Sequence, residues 1–105
     1  GEDADYSLRI TQAGGRILHA PRALILHKVS ASVGGDSPRK AWLRTRSHMR
    51  LLGKHWPRKS WPVLFLTQVC FLGGHSTWHL WNGRMNTALA IWQGAIDELR
   101  GLDYQ

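Results

Sequence analysis

Between Asp36 and Asp97 the chain has no acidic residue, yet that stretch carries Arg39, Lys40, Arg44, Arg46, Arg50, Lys54, Arg58, Lys59 and Arg84. So long a run of one sign, in a chain whose formal net charge is +7, calls for a negatively charged partner: nucleic acid, an anionic lipid surface or a phosphorylated substrate. Three of the seven carboxylates stand at the start, at Glu2, Asp3 and Asp5. An acidic head is thus set against a basic tail that is rich in tryptophan. A chain of 105 residues holds one small domain, and such a domain buries about 60–65% of its extended surface, so the core is limited. The single cysteine, Cys70, lies in an apolar run and reads as a small buried hydrophobe, in keeping with a reducing compartment. No signal-peptide pattern is visible.

Local signals divide the chain. Residues 2–13 read as a helix, with acids at the positive end of its dipole and Gly14 and Gly15 to end it. Two short apolar runs, Ile17 to Ala20 and Ala23 to Val29, are split by Pro21 and read as two strands or extended segments. The small residues from Ser30 to Pro38 suit a mobile loop, and Ser37 with Pro38 suits a cap and first position for a helix to about Lys54. After two prolines, the apolar stretch from Val63 to Gly74 is short of the ~20 residues a membrane span requires. A last helix is expected from about Thr77 to Leu99, with Trp78, Trp81, Met85, Leu89, Trp92, Ile96 and Leu99 in one apolar stripe.

The order Gly1, Glu2, Asp3, Asp5, Arg9, Ala13, Gly14, Pro21, Ala23 and His27 resembles the second half of the catalytic domain of family-2 glycosyltransferases, inverting sugar transferases of the GT-A fold. The resemblance implies an α/β fold class: the C-terminal part of a GT-A domain over residues 1–37, mostly helical with a small two-stranded or extended element, then a basic, tryptophan-rich helical extension over 38–105. It also implies that the nucleotide-binding half of such a domain lies N-terminal to Gly1, so that this chain is a fragment.

In such an enzyme an acceptor hydroxyl attacks the anomeric carbon as a nucleotide diphosphate leaves, and a carboxylate takes the proton. By resemblance Asp3 is that base and Glu2 orients the acceptor or the base. Asp5 and Arg9, four apart, form an ion pair on one helix face beside the substrate. Lys28 meets phosphate, and His27 approaches the diphosphate and its divalent metal, Mg2+ or Mn2+. The implied donor is a nucleotide-diphosphate sugar, and the acceptor a glycan or a lipid-linked hydroxyl in cell-envelope polysaccharide biosynthesis. The sequence departs from the family at Arg46, which is followed by Ser47 where Asn is common. His75 and His79 have the spacing of two ligands on one helix face but no third ligand near them, and read as structural.

The basic helix and tryptophans also suit a cytoplasmic protein held peripherally at the inner face of the cell membrane. A rival reading from another class is a non-catalytic nucleic-acid-binding module. Its weakness is that the tryptophans follow helical packing spacing.

Overall fold

The computed structural model describes residues 2–26 and 37–101. Among them are four α-helices and no strand: α1 (Glu2–Gln12), α2 (Pro38–His55), α3 (Trp61–Trp81) and α4 (Met85–Leu99), with a short 3-10 turn at Arg58–Ser60 before α3. Their boundaries follow from local chemistry. The amide of Gly14, at φ +84°, donates to the carbonyl of Thr11, and that of Gly15 donates to Ile10, which closes α1 with the two bonds of a Schellman stop. At the start of α2 the Ser37 hydroxyl accepts from the Lys40 amide at 3.3 Å. The helix ends at Trp56, whose ψ of 135° is the extended conformation that a residue before proline prefers.

The core lies where α4 meets the other two long helices. Leu72 of α3 and Ile91 and Ala95 of α4 form its centre, with Ala41 and Met49 of α2 packed against it. α2 and α4 come close together at Gly94, where an added Cβ would lie 2.7 Å from the Trp42 carbonyl oxygen and 3.2 Å from the Thr45 Cβ. The same interface is ionic. The Arg46 side chain, with no solvent exposure, places Nε 3.1 Å from Glu98, whose other oxygen lies 2.8 Å from Arg50 Nε. Trp42 Nε1 donates to Asp97 at 2.7 Å, and the Arg46 guanidinium lies 4.8 Å from the centre of the Trp42 ring. Both carboxyls are held below their ordinary range, Glu98 mainly by Arg50 and Asp97 mainly by the Trp42 N–H.

Several expectations are corrected. The chain is all-helical over the described residues rather than α/β, so no sheet of a GT-A domain is present among them. Residues 16–26 have no ladder partner, and Leu18, Leu24, Ile25 and Leu26 are each more than 80% exposed. Apolar runs alone do not make strands, since a strand needs a second one to satisfy its backbone. The loop expected before α2 lies, apart from Ser37 and Pro38, outside the described residues.

The single helix expected over Thr77 to Leu99 is two. Gly83 takes φ +71°, its amide donates to Leu80, and the Arg84 amide donates to His79, a second Schellman stop. Every residue of the expected apolar stripe is outside the core, from Trp92 at 38% exposure to Trp81 at 90%. The buried face of α4 is Ala88, Ile91, Gly94 and Ala95 instead, because small side chains let α2 approach. Cys70 is exposed.

Gly94→Ala should therefore destabilise the chain. Overpacking costs about 1–3 kcal/mol, against a gain of up to ~1 kcal/mol in helix propensity. Gly74→Ala, in mid-α3 with nothing within 4 Å of the new Cβ, should be neutral to stabilising. Urea unfolding of both variants checks the contrast, which fails if Gly94→Ala is the more stable of the two.

Candidate functional site

Successive residues of an α-helix turn by about 100°, so Asp3 and Asp5 project from nearly opposite sides of α1, whereas Glu2, Asp5 and Arg9 share one side. The structure gives the two aspartates different surroundings. Asp5 faces the C-terminal end of α2. Its Oδ1 lies 2.8 Å from Lys54 Nζ and 2.7 Å from His55 Nε2, and its Oδ2 lies 3.1 Å from Arg9 Nε. The His55 ring is held at both nitrogens, with Nε2 donating to Asp5 and Nδ1 accepting from Gln12 Nε2 at 3.2 Å. The hydrogen bonds from Lys54 first and His55 second lower the Asp5 pKa to about 2. An acid that weakly basic is poorly matched to taking a proton near neutral pH.

Asp3 is exposed, in the first turn of the helix. Glu2 is exposed too, and a hydrogen bond from its own backbone amide is the largest influence lowering its pKa. α1 has no buried residue, so the Asp5 and His55 contacts are the principal means by which it is held to α2.

Of the sequence-derived site residues, Glu2, Asp3, Asp5 and Arg9 all lie on α1, while His27 and Lys28 lie outside the described residues. Arg9 and Asp5 form the i, i+4 pair, and together they sit in the contact with α2. Lys54 and His55 were missed. A lysine and histidine at the C-terminal end of a helix read locally as complements to its dipole, and nothing in their spacing points to a carboxylate some 50 positions earlier. His75 and His79 sit edge to face, with ring centres 4.9 Å apart. Among the described residues no group of three His, Cys, Asp or Glu side chains is placed to hold a metal ion, and no helix is long and apolar enough to cross a membrane.

No protein-family model, curated protein or solved structure matches the chain.

Because the Asp5 pKa is lowered on docking, the contact adds stability above its ordinary value near 3.8, and loses it as pH falls through about 2. Protection of the Glu2–Gln12 amides, relative to the intrinsic exchange rate at each pH, should accordingly fall between about pH 4 and 2. Asp5→Asn should give the same loss of protection at neutral pH, with α4 amides unchanged. Unaltered protection of α1 in that variant would show that the contact does not hold the helix.

Proposed function

We propose that the chain carries the acceptor-activating segment of an inverting glycosyltransferase that transfers a sugar from a nucleotide-diphosphate donor to a hydroxyl of a glycan or lipid-linked acceptor. The observation that carries this reading is the ordered set of ten residues from Gly1 to His27, with its Glu-Asp-x-Asp core on a helix. The difference between the two aspartates supports it. Asp5 is spent on Lys54, His55 and Arg9, whereas Asp3 is exposed beside Glu2, where an acceptor hydroxyl has access.

In this reading Asp3 takes the proton of the attacking hydroxyl, Glu2 orients the acceptor, and Asp5 with Arg9 fixes α1 beside the substrate. The donor is held by a nucleotide-binding unit, joined to this chain or supplied as a second one. Lys28 serves its phosphates. The resemblance brings a divalent metal, Mg2+ or Mn2+, with His27 as the expected ligand, and the proton transfer assigned to Asp3 does not pass through it.

Attachment to an anionic membrane face belongs to the same proposal. Trp61, Phe65, Leu66 and Trp81 of α3 are exposed, with Arg58 and Lys59 just before the helix and Arg84 just after it. Apolar side chains flanked by cations suit an interfacial helix, to which each cation near the surface contributes about 1 kcal/mol.

The test is Asp3→Asn in the assembled transferase. Asparagine keeps the shape and cannot accept the proton, so the transfer rate should fall by ~10²–10⁴ while donor affinity stays close to normal. Retained activity, or a loss explained by unfolding, overturns the assignment of Asp3.

A further inference from the structure

α4 packs against both α2 and α3, yet among the described residues no Cα of α2 comes within 8 Å of a Cα of α3. The space left between them is a cavity of about 350 Å³, at the small end of the ~300–1,000 Å³ of ligand sites. α2 lines it with Lys40, Arg44 and His48, and α3 with His75 and His79 among the aromatic rings of Phe71 and Trp78. None of the lining residues is acidic.

His48 is committed, its Nε2 donating to Gln68 Oε1 across the two helices at 3.0 Å. His79 differs. It is 3% exposed, its ring lies edge to face with those of Trp78 and His75, and its Nδ1 has no hydrogen-bond partner. That nitrogen has no surface open to the cavity, so it does not meet an occupant. The side chains that can are Lys40 and Arg44. Cations there disfavour a metal ion and favour an anion. A tetrahedral dianion has acceptor oxygens enough for a guanidinium and an ammonium at once.

We propose that the cavity between α2 and α3 binds the phosphate group of a phosphomonoester, with Arg44 and Lys40 as donors and Phe71 and Trp78 against the organic part. The inference stands apart from the transferase reading and needs neither Asp3 nor a sugar donor. A soluble ester and a lipid headgroup offer the same phosphate chemistry, so the experiment includes both.

The intact chain is titrated calorimetrically with inorganic phosphate and phenyl phosphate. It is also sedimented with phosphatidylcholine vesicles containing phosphatidate or, at equal surface charge, phosphatidylglycerol, which is a phosphodiester. Binding of phenyl phosphate marks a soluble ester, tighter binding of phosphatidate than of phosphatidylglycerol vesicles without it marks a lipid headgroup, and either supports the site. In both cases Arg44→Glu should weaken that binding at least tenfold. Arg44 is exposed, so its variant keeps the core intact. The proposal is overturned if phenyl phosphate does not bind and the two kinds of charged vesicle bind equally, or if Arg44→Glu binds as the parent does.

Discussion

The buried guanidinium of Arg46 is the constraint on which the α2–α4 pairing depends. A charge out of water is tolerated only when paired, and its pair, Glu98, sits in the last turn of α4, where the helix dipole is itself negative. Glu98 and Asp97 are unfavourably placed by the rules of an isolated helix. They become favourable because α2 brings Arg46, Arg50 and the Trp42 N–H against them at four-residue steps. That ladder sets which turn of α2 lies on which turn of α4, and Gly94 allows the approach. Two acids that follow a stretch of some sixty residues without any therefore anchor part of the charge that precedes them.

What was legible in the sequence was local. Gly14–Gly15, Ser37–Pro38 and Trp56–Pro57 marked the ends of α1 and α2 to within a residue or so because each acts through its own backbone geometry. The i, i+4 pair of Asp5 and Arg9 was legible for the same reason. The break at Gly83 was not, since the apolar spacing continues across it from Trp81 to Met85. Large side chains also misled. Periodicity located a true apolar face on α4, but the packed face is the one with alanine and glycine, where closeness of backbones outweighs side-chain hydrophobicity.

The candidate site divides along the same line. Its acidic motif can be read in nine residues, whereas the partners that separate Asp5 from Asp3 come from the far end of another helix. The cavity likewise joins residues of α2 to residues of α3 that share no motif and meet only through folding. Pairings between distant segments follow from the tertiary arrangement, and a single sequence contains no local trace of them.

The wedge-like position of α4 carries its own implication. Since the backbones of α2 and α3 both approach α4 and not each other, and the two helices meet only through side chains such as His48 and Gln68, their separation depends on side chains such as Ile91 and Ala95, which are absent from the walls of the space between them. The width of that space can thus be altered from behind, one methyl group at a time, while every group that would meet an occupant keeps its identity. Selectivity by size and selectivity by chemistry are separately adjustable in this arrangement, the first through α4 and the second through the helices it holds apart.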